Sequence, residues 1–89
     1  MNKILIITTK GCEGCQIAKY NVEQAINNSK KQIELEVKDC SEVDKKFIYI
    51  RKVSDFPTVF YFIDDAIIHK TIGSYPSVVY LHWIKMYFK

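Results

Sequence analysis

Two hydrophobic patterns of different period, one on each side of a helix, constrain this chain more than any other feature. Ile4-Leu5-Ile6-Ile7 is an unbroken apolar run within Lys3–Thr9. A strand covered on both faces by other layers has this pattern. Gly11 breaks the run, and from about Glu13 to Asn28 the period turns helical, with Ala18, Val22 and Ala25 at i, i+4 and i+7 and Ile26 beside them. The polar stretch Asn27-Asn28-Ser29-Lys30-Lys31 ends that helix. Ile33, Leu35 and Val37 then alternate with Glu34, Glu36 and Lys38, the period of a half-buried strand. A strand, a helix and a strand so close together form a βαβ unit, whose two strands run parallel with a right-handed crossover.

The rest of the chain adds a helix, a hairpin and a helix. Ser41 is placed to cap a second helix, with Asp44 three residues on; Val43, Phe47 and Ile50 carry its apolar face to about Val53. Ser54-Asp55 breaks it. Pro57 precedes the β-rich run Thr58–Ile63, a position where a strand tolerates proline. Asp64-Asp65 turns the chain into Ala66–Ile72, and two strands joined this tightly form an antiparallel hairpin. Gly73-Ser74 ends the sheet, and Pro76 suits the first turn of a final helix over Tyr75–Phe88. The expected fold is α/β in the order β-α-β-α-β-β-α: a four-stranded mixed sheet flanked by three helices, in a single domain over residues 1–89.

Composition narrows the function classes. At 48% hydrophobic residues the chain has enough apolar side chains to build a core. The net charge of +3 is mild, and the basic pairs Lys30–Lys31, Lys45–Lys46 and Arg51–Lys52 are spread along the sequence. A nucleic-acid binder concentrates such charge, so no nucleic acid is expected as a partner. No apolar run is long enough to cross a membrane, and the one after Met1-Asn2-Lys3 is too short for a secretory signal. A cytoplasmic location and no membrane association are expected. Three cysteines in a reducing compartment are more often catalytic or metal-binding than a disulfide framework.

Two of those cysteines form Gly11-Cys12-Glu13-Gly14-Cys15, placed where the first strand gives way to the first helix. Unpaired N–H groups and the macrodipole at a helix N-terminus favour negative charge. A cysteine there has its pKa lowered from about 8.5 toward roughly 3.5–7.5, which favours the reactive thiolate. Lys10 stands two residues away and adds to this field. Cys15, one turn on, is within reach of a sulfur bonded to Cys12. A C-x-x-C alone also fits zinc or an inert pair, but zinc takes three or four protein ligands. Only Cys40, His69 and His82 remain as further soft ligands, without a second C-x-x-C. The strand–motif–helix setting points to redox chemistry.

With these residues in view, the chain resembles the minimal thioredoxin fold at the size of glutaredoxins. The segment Thr9-Lys10-Gly11-Cys12-Glu13-Gly14-Cys15 resembles the family's active site, and Phe56-Pro57-Thr58 resembles its cis-proline loop. Asp39 after the second strand and Gly73 after the fourth also fall where the family commonly has them. The resemblance implies Cys12 as nucleophile and Cys15 as resolving thiol, joined in a redox-active disulfide. It implies a cis-Pro57 facing them, and Lys10, Phe56, Pro57 and Thr58 as substrate-binding positions. It further implies a thiol–disulfide oxidoreductase that reduces protein disulfides, with no bound cofactor or metal. The implied partners are a disulfide-containing protein substrate and a thiol reductant or reductase, with glutathione as a candidate electron donor; a monomer is expected. The chain departs from both subfamilies. Gly11 stands where thioredoxins carry Trp and Ile6 where they bury an acid. Glu13-Gly14 replaces the Pro-Tyr of glutaredoxins, and Gly73-Ser74-Tyr75-Pro76 lacks the second glycine and the acid of their glutathione site. Metal or iron–sulfur binding through Cys12 and Cys15, and a non-catalytic interaction domain, stand as alternatives.

Three further residues read as spectators: Cys40 as a half-buried thiol, His69 and His82 as surface or packing side chains. In the last helix, Val78, Leu81, Ile84 and Phe88 together with Val79, Trp83, Met86 and Tyr87 spread apolar groups around most of the circumference, which reads mainly as core.

Overall fold

The computed structural model describes residues 1–89. Its strands are β1 (Asn2–Thr8), β2 (Ile33–Asp39), β3 (Thr58–Ile63) and β4 (Ala66–Ile72); its helices are α1 (Glu13–Ser29), α2 (Lys45–Ile50) and α3 (Ser77–Tyr87). They form one four-stranded sheet in the order β2-β1-β3-β4. β1 runs parallel to β2, with Ile4 opposite Leu35, and antiparallel to β3, with Ile4 opposite Tyr61. β3 and β4 form the expected hairpin.

β1 shows why its apolar run is continuous. Ile4, Leu5, Ile6 and Ile7 are all buried, but they serve two cores. Successive side chains on a strand point to opposite faces. Ile4 and Ile6 meet Ala18, Val22 and Ala25 of α1 and Tyr80, Ile84 and Phe88 at α3, together with Val59 and Tyr61. Leu5 and Ile7 lie on the other face with Phe60, Phe62 and Val53, covered by Phe47 and Ile48 of α2. Each such fully buried aliphatic side chain contributes about 1.5–3 kcal/mol. Small residues at Ala18 and Ala25 let α1 lie close to the sheet.

Three helix boundaries differ from expectation. Ser41 does not cap the second helix. Asp39 accepts the Ser41 N–H at 3.0 Å while Glu42 accepts the Asp39 N–H at 2.9 Å, a capping box that closes a separate 3-10 turn over Cys40–Glu42. Val43 is then extended, at φ −100 and ψ 142, and packs against the second core, so α2 starts afresh under the cap of Asp44 and stops at Ile50 rather than Val53. Pro76 is the N-cap of α3 and not part of its first turn, so the helix begins at Ser77. Within β2, Val37 is exposed, although Ile33 and Leu35 of the same face pack against the first core. In α3, Tyr80 takes the fully buried position, while Val78 and Met86 face solvent.

His69 is a packing residue of an unusual kind. Its ring stacks on Tyr87 at 4.4 Å and lies against Tyr61 and Trp83, with Nε2 buried and unpartnered. Burial holds its pKa below the ordinary 6.5. The unfolded chain therefore takes up this proton at a higher pH than the folded one. The stability gained by keeping the ring neutral is complete above 6.5 and falls as pH drops through the folded-state value. Urea midpoints are expected to decline between about pH 7.5 and about pH 5.5, with a shallower decline in His69→Phe. Parallel curves would contradict this assignment.

Candidate active site

β1 delivers the chain to the motif, and Gly11, at φ +70, turns it into α1 in a left-handed conformation that suits glycine. Cys12 is the N-cap of α1, at φ −96 and ψ 100. Its sulfur takes the place of a capping oxygen and accepts the Cys15 N–H at 3.0 Å. A Cys12 thiolate would thus sit on a hydrogen-bond donor at the positive end of a 17-residue helix. Cys12 is half-exposed, whereas Cys15 is only 2% exposed. The two sulfurs lie at disulfide distance, with their Cα atoms 5.2 Å apart. One sulfur is open to attack from outside, and its partner is held beneath it.

The loop before β3 faces this pair. The Phe56–Pro57 peptide is cis. A Cβ on Gly14 would meet Pro57 Cδ at 3.8 Å and Ser74 Cβ at 3.9 Å, so the motif, the proline and the turn after β4 come together. The Phe56 backbone makes no hydrogen bond within the chain, which leaves its N–H and C=O to an incoming segment. Pro57 is buried, and its carbonyl accepts the Gly73 N–H at 2.9 Å. Thr58 is fully buried, and its hydroxyl donates to the Asp55 carbonyl at 2.6 Å, so this side chain shapes the loop instead of facing the motif.

Lys10 is exposed on the other flank. It lines a groove of about 540 Å³ with Thr8, Thr9, Cys12, Glu13, Gln16 and Asp39. The Ser41 hydroxyl and amide, with a smaller part from Lys10, hold the Asp39 carboxyl below its ordinary range. Ile6, where a buried acid would assist Cys15, lies wholly inside the apolar core, and Glu13 is exposed. Cys40 is half-buried beside Thr9, at 3.9 Å between Sγ and Oγ1. His69 lies under the end of α3 and His82 is exposed on it.

Sequence patterns missed the residues that fix the Gly73–Pro76 turn. Asn21 of α1 donates to the Tyr75 carbonyl at 2.9 Å, the Tyr80 hydroxyl donates to Gly73 O at 3.3 Å, and the Tyr75 hydroxyl donates to Ile72 O at 3.0 Å. Asn21 reads as an ordinary polar helix position, and nothing in its neighbours announces a partner so far along the chain.

Gly14 offers a local test. It is helical, its φ is not left-handed, and the contacts awaiting a Cβ are ordinary van der Waals ones. Gly14→Ala is expected to stabilise the oxidised protein by about 0.5–1 kcal/mol through lower unfolded-state entropy. Urea denaturation reads this directly; destabilisation would mean that the motif needs the glycine's freedom.

No family model matches the sequence, and no curated protein matches it. Solved structures do resemble it. Thioredoxin-2 of the malaria parasite, described as a component of that parasite's protein secretion machinery, superposes at a TM-score of 0.80 with 16% identity, over 98% of this chain and 84% of that one. A second malarial protein superposes at 0.80 with 16% identity, over 100% of this chain and 99% of that one. Chloroplastic thioredoxin z superposes at 0.74 with 16% identity, over 97% of this chain and 77% of that one. The strand order, the C-x-x-C at the start of α1, the cis-proline loop and these superpositions agree: the chain has the thioredoxin fold.

Proposed function

We propose that this chain is a thiol–disulfide oxidoreductase that reduces protein disulfides through Cys12 and Cys15. The observation that carries the reading is the asymmetry of the pair: Cys12 is half-exposed at the helix N-cap, and Cys15 is buried within bonding distance of it. The Cys12 thiolate attacks one sulfur of a substrate disulfide; a new S–S bond forms, and the other substrate sulfur leaves as a thiolate and takes a proton. Cys15 then loses its proton, attacks Cys12 Sγ and releases the second substrate thiol. Two electrons have passed to the substrate, and Cys12–Cys15 is left oxidised. A thiol reductant, glutathione or a reductase, returns the pair to the dithiol.

Lys10 adds positive charge on the groove flank, and the free Phe56 backbone pairs with an extended substrate segment beside Pro57. This mode needs little side-chain specificity, which suits varied protein disulfides. No resident cofactor or metal takes part in these steps, and the chain acts as a cytoplasmic monomer in this reading. The test is insulin reduction with dithiothreitol as electron source. The protein is expected to accelerate precipitation of the insulin B chain well above the dithiothreitol background. A rate equal to background would remove the proposal.

A further inference from the structure

Two of the three basic pairs bracket one short element. Lys45 and Lys46 open α2, and Arg51 and Lys52 follow its last residue; all four are exposed. The segment from 45 to 52 contains no acid. None of the four cations enters an ion pair, whereas Glu36 on β2 takes up both Lys3 and Lys38. These four charges exceed the chain's net +3, so the remainder of the molecule has no positive excess. Asp44, the adjacent acid, is engaged in capping the Lys46 N–H at 2.8 Å. Lys70 approaches from β4 and donates to the Arg51 carbonyl at 2.8 Å, which adds a fifth cation to the rim.

Apolar surface lies among these charges. Tyr49 and Ile50 are 85% and 66% exposed. Beside them a groove of about 420 Å³ is lined by Lys45, Ile48, Tyr49, Lys52, Val53 and Ser54. Its apolar lining comes from Ile48, Tyr49 and Val53, with Lys45 and Lys52 among the residues around it. Phe47 and Ile48 pack on the second core, so this face is the outer side of the layer opposite α1 and α3.

We propose that the α2 face docks an acidic peptide segment of a partner protein. An apolar side chain of that segment seats against Ile48 and Tyr49, and its carboxylates meet Lys45 and Lys52. Charge complementarity selects an acidic partner. A six-residue helix offers too short an apolar face to lie in a lipid interface, which favours a peptide over a membrane surface. This site is separate from the cysteine pair and does not depend on the redox reading.

The experiment is fluorescence anisotropy with a short fluorescein-labelled peptide of glutamates around one central leucine, titrated with the full chain. Binding is expected at about 50 mM salt, with weakening as salt rises. K45E/K52E is expected to weaken binding by at least about tenfold, through like charges facing each other. A probe with serine in place of its leucine is expected to bind more weakly than the parent. Thermal unfolding and insulin reduction of K45E/K52E, expected unchanged, separate this result from misfolding and from failure of the redox proposal. Three results would overturn the inference: no binding by the wild-type chain, equal binding by K45E/K52E, or sedimentation with phosphatidylserine vesicles while the peptide fails to bind.

Discussion

Replacing Cys12 by serine is expected to lower the rate of insulin reduction by at least about a hundredfold, to the dithiothreitol background. A serine hydroxyl is not ionised near neutral pH and cannot form the mixed disulfide. The helix N-terminus and the Cys15 N–H that stabilise a thiolate at this position would then act on a group without reactive charge. The fold should be indifferent, because serine is a preferred N-cap and can accept the same N–H. Activity and stability therefore separate in this variant: the rate collapses while the thermal midpoint of the reduced protein stays within a few degrees of wild type. A variant that kept its activity would move the nucleophile elsewhere, with Cys15 and Cys40 as the remaining thiols.

The largest stability effect is expected at Tyr61. This side chain is fully buried in β3, lies near Trp83, Phe88 and His69, and shares a hydrogen bond of 3.2 Å with Thr71 Oγ1. Burial pushes its phenol well above the ordinary value of 10.0, so it remains neutral and able to donate. Tyr61→Ala opens a cavity between the sheet and α3 and should cost about 3–5 kcal/mol. Small domains have only about 5–15 kcal/mol in total, so the urea midpoint should fall by a large fraction. Tyr61→Phe keeps the packing and strands the Thr71 hydroxyl, at a cost of about 1–3 kcal/mol. Similar costs for the two variants would mean that the hydrogen bond, and not the ring, holds this layer together.

The sequence exposes those parts of the fold that depend on period and position. Ile4 to Ile7 reads as a doubly covered strand because both faces need apolar side chains, and the two cores bear this out. The hairpin bounds Thr58–Ile63 and Ala66–Ile72 follow from composition and the Asp64-Asp65 turn. Local competition is harder to read. Ser41 and Asp39 are both capable caps, and only the pull of Val43 into the second core decides that the 3-10 turn and α2 are separate. The placement of Cys12 and Cys15 is legible from the strand-to-helix junction. The cis state of Pro57 is legible only through the resemblance, since nothing local in Phe56-Pro57 requires it. Tertiary closures are not legible at all. Asn21 reaching Tyr75 is a product of chain path and not of local pattern.

The most direct measurement is trapping of the mixed disulfide with Cys15→Ser. Once Cys12 has attacked, this variant lacks the buried thiol that would release the substrate. Incubation with oxidised insulin should yield a dithiothreitol-sensitive covalent complex, and mass spectrometry of its peptides should place the bond at Cys12. The same complex should not accumulate with the wild type, where Cys15 resolves it. A linkage through Cys40, or no complex with Cys15→Ser, would contradict the account.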